Sequence, residues 1–144
     1  MRFYESFTEI DAEPEAVWAV LVDLAAYPTW DSGVTKIEGA RVAREGSKLK
    51  VTSEISPDRA FPVKISELTP DDRMVWLGGL PFGLFKAVRS FNVTSIGDGR
   101  TYFQTREVFQ GPLLKVIGKK IPDLQASFDR FATGLDAEVQ RRSQ

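Results

Sequence analysis

The sequence predicts an α+β protein in which an antiparallel sheet packs against one long C-terminal helix. Apolar residues near the C-terminus recur every three or four positions, the period of an α-helix, whereas the stretch 36–109 alternates with the period of two that is typical of strands. Six strand segments in that stretch are separated by turn residues, with no room for a helix between them, so neighbours must pair antiparallel. With one more strand at the N-terminus, the sheet has seven strands.

Length and composition indicate a single domain, residues 1–144. The chain is 42% apolar and 27% charged, values that suit a globular protein with a buried core. Its net charge of -1 and evenly mixed charges argue against a nucleic-acid partner. No apolar run is long enough to span a membrane, and the N-terminus lacks the core of a signal peptide. We therefore expect a cytoplasmic protein without stable membrane insertion.

The chain contains neither cysteine nor histidine. The absence of cysteine excludes disulfides, thiol catalysis and cysteine metal ligands. The absence of histidine removes the commonest general base and the commonest metal ligand, which argues against metal hydrolysis and Ser-His-Asp chemistry. We therefore predict no metal site and no cofactor.

The N-terminal region predicts a strand followed by a helix or a helix pair. Residues alternate over Phe3–Ile10, as in a half-buried strand. A helix then begins near Pro14, a residue suited to the first helical turn, with Glu15 at the positive end of the helix dipole. The helical segment ends at Tyr27, because the residue before Pro28 is disfavoured in helical conformation.

The six later strand segments are bounded by turns rich in glycine, proline and aspartate. They run over Lys36–Val42, Leu49–Ile55, Phe61–Leu68, Arg73–Leu77, Ala87–Ile96 and Tyr102–Phe109. In the fourth of these, a two-residue loop of Pro70 and Asp71 would pair Trp76 with Ile65 on the inner face. A shift of one residue would turn Trp76 outward.

The last hairpin has a register that follows from its loop. If Gly97–Gly99 forms a three-residue loop with Gly99 left-handed, Arg89 lies opposite Glu107 on the face that carries the aromatic residues. An isolated charge in an apolar interior is costly, so either the two side chains satisfy each other or a ligand uses them. Another loop type would place both on the outside.

The C-terminal helix is predicted to run from Pro112 to about Glu138. Its apolar stripe is formed by Ile117, Ile121, Leu124, Phe128, Phe131, Leu135 and Val139. Gly118 and Pro122 interrupt the pattern, which indicates either a kink near residues 119–122 or two abutting helices. Charged residues between the apolar positions, Glu138 among them, are expected on the exposed face. The lysines at 115, 119 and 120 are interpreted as a solvated face.

The loop Gly78–Lys86 is unusually apolar for a connection between strands. It holds three glycines, a proline and the large residues Leu80, Phe82, Leu84 and Phe85. It lacks the Gly-Lys-Ser/Thr ending of a phosphate-binding loop, and no helix follows it. We expect either a flap that folds over an apolar opening or a plug whose side chains fill the core.

Several segments resemble the START-like superfamily, also called SRPBCC, whose members are often described as polyketide cyclase/dehydrase or lipid-transport proteins. They are PEAVWAVLVDLAAYPTW from Pro14, MVWLGG from Met74, FKAVRSF from Phe85, EVFQG from Glu107 and the closing amphipathic helix. The resemblance implies the helix-grip fold, a seven-stranded antiparallel sheet curved around a long C-terminal helix with an apolar cavity between them. Some members catalyse cyclisation or dehydration, others bind sterols, lipids, quinones or hormones, and another branch binds a chaperone.

The leading functional hypothesis is the binding or transport of a small hydrophobic ligand in such a cavity, without catalysis. The predicted ligand-binding residues come from the sheet, the apolar loop and the helix. Each of them could also be an ordinary core residue with no role in binding. They are Trp76, Phe82, Phe85, Arg89, Phe91, Phe103, Glu107, Phe109, Ile117, Leu124, Phe128 and Phe131.

Two alternatives remain open. The first is a cyclase- or dehydratase-like enzyme in which Glu107, or else Tyr102 or Asp31, acts as acid or base. A carboxylate neutralised by Arg89 across the strands is a poor base, which favours binding over catalysis. The second is an assembly or cochaperone-like module that uses the apolar loop or the basic turn as its contact surface. No motif separates these branches.

Overall fold

Seven antiparallel strands form one sheet in the computed structural model, which describes residues 1–144. The strands are β1 (Arg2–Ile10), β2 (Val34–Glu38), β3 (Lys48–Ser53), β4 (Ser56–Thr69), β5 (Arg73–Leu80), β6 (Phe85–Gly97) and β7 (Arg100–Gln110). Their spatial order is β1-β7-β6-β5-β4-β3-β2. Consecutive strands from β2 to β7 are therefore neighbours, and β1 closes against β7. The predicted antiparallel sheet is confirmed.

Two helical segments follow β1, as predicted. They are α1 (Pro14–Val22) and a 3-10 helix (Leu24–Thr29). The 3-10 helix includes Pro28, so the predicted end at Tyr27 is two residues early. A short 3-10 segment loses little when one N–H is missing, which explains why the proline does not end it.

The C-terminal region forms two helices rather than one continuous helix. They are α2 (Leu114–Ile117), which leads into a 3-10 turn (Gly118–Lys120), and α3 (Gln125–Arg142). Ile121 between them is extended, with φ -83° and ψ 118°, because it precedes Pro122. The two-helix alternative is thus confirmed, and the long helix is shorter than the predicted range at its N-terminal end.

The sheet curves around α3, so that distant parts of the sheet reach the helix. At the β1 edge, the Gln125 side-chain amide donates a 2.8 Å hydrogen bond to the Glu5 carbonyl. Toward the other end of the sheet, Arg130 forms an ion pair with Glu54 in the β3–β4 turn. The buried face of α3, with Phe131 and Leu135, packs into the concave side of the sheet. This is the helix-grip arrangement.

The hairpin registers agree with the predicted pairs, although the loops differ. Arg89 lies opposite Glu107, but the β6–β7 loop has two residues, Asp98 and Gly99, with φ of 56° and 71°. An irregularity between Ser95 and Gly97 restores the predicted pairing. Trp76 likewise lies opposite Ile65, with a comparable irregularity in β4 after Ile65.

The prediction that Glu138 lies on an exposed face is wrong. Its side chain is only 3% exposed, because Arg141 and Arg142, one turn further along α3, fold back over it. Arg141 donates two hydrogen bonds to the carboxylate, at 2.8 and 2.7 Å. These bonds hold the pKa of Glu138 at about 2.

None of the helices combines the length and the hydropathy required to span a membrane.

Candidate functional site

Four polar or amphipathic side chains lie in one row across the inner face of the sheet. Tyr4 pairs with Glu107, Glu107 with Arg89, and Arg89 with Trp76, on strands β1, β7, β6 and β5. Residues in register on adjacent strands share a face, so all four side chains point toward α3. We call Tyr4, Glu107, Arg89 and Trp76 the inner polar row.

Arg89 is held among aromatic rings. Its guanidinium carbon lies 4.3 Å from the ring centre of Phe128, 4.8 Å from that of Phe131 and 4.9 Å from that of Phe91. The Nε group donates a 3.1 Å hydrogen bond to the hydroxyl of Thr105. Three ring faces stabilise the partly buried charge by cation–π attraction. The two terminal nitrogens donate to no protein acceptor, so they remain available to a ligand.

Glu107 lies opposite Arg89 without a direct contact to it. Neither a hydrogen bond nor an ion pair joins the two side chains, so the alternative in which they satisfy each other directly is not realised. Burial raises the pKa of Glu107, and the Arg89 charge partly opposes this rise. Burial likewise lowers the pKa of Arg89. Both residues are only half-buried, so solvent reaches them from outside.

Two indole N–H groups near the row are buried and lack an acceptor. They belong to Trp30, which follows the 3-10 helix, and to Trp76. The Trp30 ring lies 5.3 Å from Phe131, and the Trp76 ring lies 5.0 Å from Phe91. A buried donor without a partner costs about 1–3 kcal/mol. With the terminal nitrogens of Arg89, these groups are unpaired donors on the inner face of the sheet, where the Glu107 carboxylate is an unpaired acceptor.

Beside Arg89 and Glu107, nine of the predicted site residues fall into three groups. Most of those from the sheet and α3 form one aromatic cluster beside the inner polar row: Trp76, Phe91, Phe103, Phe128 and Phe131. Phe85 and Phe109 stack on each other at 6.0 Å, and Phe109 also contacts Tyr4. Ile117 and Leu124 are half-buried at the link between α2 and α3.

Phe82 stands apart from the other predicted residues. It is 97% exposed at the end of the β5–β6 hairpin, so it neither covers an opening nor fills the core. Its φ of 60° places it at the apex of the turn, where the chain reverses. Of the large residues in this loop, only Phe85 is buried as a plug would be.

Of the three residues considered as acid or base, only Glu107 lies on the inner face. Tyr102 stacks on Phe7 at 5.9 Å on the outer face. Asp31 forms a 2.5 Å ion pair with Arg130 at the surface. Of these three, Glu107 is therefore the one placed to act as acid or base on the inner face.

Tyr4 is a site residue that the sequence reasoning did not include, whereas Trp30 was expected at the end of the cavity. Tyr4 joins the row only because β1 pairs with β7, a contact between opposite ends of the chain. The signal available in the sequence was the alternating pattern of the first strand, which places Tyr4 on the opposite face from its exposed neighbours. Trp30 lies in an irregular segment, where no period fixes the direction of a side chain.

Comparison with protein families matches residues 2–140 to the family described as polyketide cyclase / dehydrase and lipid transport. Comparison with curated proteins finds no match.

Solved structures of the same fold come from several sources. A START superfamily protein from Mycobacterium smegmatis is 17% identical, with a TM-score of 0.71 over 97% of this chain and 98% of that one. The Zhui aromatase/cyclase from Streptomyces sp. R1128 is 16% identical, with a TM-score of 0.76 over 99% and 96%. A norcoclaurine synthase mutant from Thalictrum flavum, in complex with a transition-state analogue, is 13% identical, with a TM-score of 0.73 over 99% and 96%. At such identities the likeness extends to the fold alone.

Proposed function

Because this chain belongs to the polyketide cyclase / dehydrase and lipid transport family, we propose that it binds a small hydrophobic ligand on the inner face of its sheet. The ligand is a lipid, a quinone or an aromatic, polyketide-like molecule with at least one oxygen acceptor. One observation carries this proposal: the terminal nitrogens of Arg89 and the indole N–H groups of Trp30 and Trp76 lack acceptors. An oxygen-bearing ligand would supply what the protein does not.

The two parts of such a ligand would use different parts of the site. Its apolar body would be removed from water against the aromatic cluster, which favours binding by about 25 cal/mol for each Å² of apolar area. Its oxygen would accept hydrogen bonds from Arg89, which are strong because the donor is charged. A hydroxyl group on the ligand would donate to Glu107.

The test is the affinity for an anionic, apolar fluorescent probe, 1-anilinonaphthalene-8-sulfonate. Replacing Arg89 by methionine keeps most of the side-chain volume but removes the charged donors. We expect Arg89→Met to weaken probe binding about tenfold or more.

Arg106→Met is the matched control, because Arg106 sits over the ring of Phe3 on the outer face in the same kind of contact, at 4.4 Å. We expect this variant to bind the probe as the unaltered protein does. Equal losses in the two variants would contradict the proposed position of the ligand.

A second candidate function is acid–base catalysis by Glu107 on the same kind of ligand. It is favoured by the raised pKa of this carboxyl, which brings its titration nearer to neutral pH. Two proteins of similar fold are named as an aromatase/cyclase and a synthase.

Glu107→Gln distinguishes the two functions once the ligand is identified. If the protein is a carrier, ligand affinity changes little and no turnover exists to be lost. If it is an enzyme, the variant keeps its affinity while the measured conversion disappears, because glutamine cannot transfer a proton.

A further inference from the structure

The end of the β5–β6 hairpin exposes apolar side chains that the rest of the chain leaves uncovered. We call residues 80–84 the hairpin tip. Phe82 is 97% exposed there, and Leu80 and Leu84 are 44% and 40% exposed. The Leu113 N–H, just before α2, donates a 3.0 Å hydrogen bond to the Leu84 carbonyl, so α2 lies beside the tip. On α2, Val116 is 65% exposed.

The conformation of Phe82 makes this exposure harder to explain by folding alone. Its φ of 60° lies in the left-handed region, which residues other than glycine rarely adopt. A glycine or an asparagine would suit both the backbone and the solvent. In the free protein, an aromatic residue at this position is unfavourable both for the left-handed backbone and for its exposure to solvent. Its presence therefore points to a role in binding another molecule, not in folding.

Lysines lie on both sides of the hairpin tip. On one side, a groove of about 720 Å³ crosses the outer face of the sheet, with Leu80 and Pro81 in its wall. Its lysines are Lys48, Lys50, Lys64 and Lys86. On the other side, α2 and the 3-10 turn after it carry Lys115, Lys119 and Lys120.

These seven lysines have no ionic partner within the protein. The remaining lysine of the chain, Lys36, pairs with Glu38 at 2.9 Å. Lys48 lies directly opposite Lys64, an arrangement of like charges that destabilises a sheet. The segments 77–86 and 110–122 contain no aspartate or glutamate. The groove also contains Glu38, which lies opposite Lys50. The tip is therefore an apolar projection flanked by an excess of positive charge.

We propose that the hairpin tip docks on the surface of an anionic lipid bilayer. Phe82, Leu80 and Leu84 enter the headgroup region while the lysines on both sides contact anionic headgroups. A bilayer fits better than a protein partner, because the apolar residues project from a hairpin instead of forming a flat patch. Lysines on two sides of a projection would together meet an extended negative plane. This inference does not depend on the proposed ligand.

Phe82→Gly tests the apolar part without endangering the fold, because glycine adopts a φ of 60° freely. The measurement is co-sedimentation with phosphatidylcholine vesicles that contain about a third phosphatidylglycerol. We expect the variant to bind about tenfold more weakly than the unaltered protein. Phe7→Ser is the control, since Phe7 is 62% exposed on β1 outside the tip, and we expect it to bind normally.

Substituting glutamine for Lys115, Lys119 and Lys120 together tests the charged part. Each lysine near an anionic surface contributes about a fivefold change in binding, so the triple variant should lose about a hundredfold. Raising the salt concentration to about 1 M should also weaken vesicle binding by the unaltered protein, because salt screens the attraction between the lysines and the headgroups. Lys36→Gln is the control and should bind as the unaltered protein does.

Three results would overturn the proposal. One is the absence of binding to the anionic vesicles. Another is equal binding to vesicles of pure phosphatidylcholine. The third is self-association of the protein in solution that Phe82→Gly abolishes, with vesicle binding unchanged in that variant, since the tip would then be a protein contact.

Discussion

At the scale of single residues, the environment of Glu138 predicts how the stability of the protein depends on pH. Its pKa of about 2 in the folded protein lies below the ordinary value of 4.5, so the ionised form is the one that stabilises the fold. This contribution is fully present above about pH 4.5 and is lost as the pH falls toward 2. We expect Glu138→Gln to lower the free energy of unfolding by about 1 kcal/mol at pH 7, since the arginines are partly solvated.

Urea unfolding followed between pH 7 and pH 2 measures this effect. The unaltered protein should lose stability over the acid range more steeply than the variant. Asp58→Asn, which removes an exposed carboxylate of β4 that has no ionic partner, is the control. A variant whose acid profile matched that of the unaltered protein would show that the Arg141 and Arg142 bonds contribute nothing to folding.

The residues of the site differ in how far the sequence predicts them. Arg89 and Glu107 could be placed on one face, because strand alternation and a short loop are local properties of one hairpin. Their lack of a direct contact could not be predicted, since it depends on how the rings of Phe128 and Phe131 draw the guanidinium toward α3. Register determines which residues face each other, whereas packing determines which atoms meet.

At the scale of elements, Gly134 shows how closely α3 approaches the segment after the 3-10 helix. A Cβ at this position would lie 2.9 Å from the carbonyl carbon of Asp31. Alanine normally favours a helix over glycine by about 1 kcal/mol, but the clash outweighs that gain. We expect Gly134→Ala to lower the free energy of unfolding by about 1–2 kcal/mol.

Thermal or urea unfolding tests this prediction, with Thr133→Ala, an exposed neighbour, as the control. Because Asp31 adjoins Trp30, the shift should also change tryptophan fluorescence and weaken probe binding. An increase in stability would mean that the close approach is absent in solution.

The C-terminal elements illustrate what periodicity misses. The apolar stripe from Ile117 to Val139 has helical spacing throughout, but the residues 121–124 are not helical. Spacing reports which side chains would share a face if the chain were helical. The chain is not helical at this point, because Pro122 forces Ile121 into an extended conformation.

At the scale of the whole molecule, the order of the elements followed from alternation and turn chemistry, but the closure of the sheet did not. The pairing of β1 with β7 joins the two ends of the chain and brings Tyr4 beside Glu107. Such contacts depend on the curvature of the sheet around α3, which no local pattern encodes. The packing of three aromatic rings around Arg89 is likewise a property of the assembled fold.

The central claim is that the inner polar row binds a small hydrophobic molecule, and native mass spectrometry of the purified protein tests it most directly. We predict a bound molecule in stoichiometric amount, released on denaturation and lost or much reduced in Arg89→Met. Extraction and identification of that molecule would name the ligand class. A bare protein that also forms no complex with an added anionic apolar probe would contradict the claim.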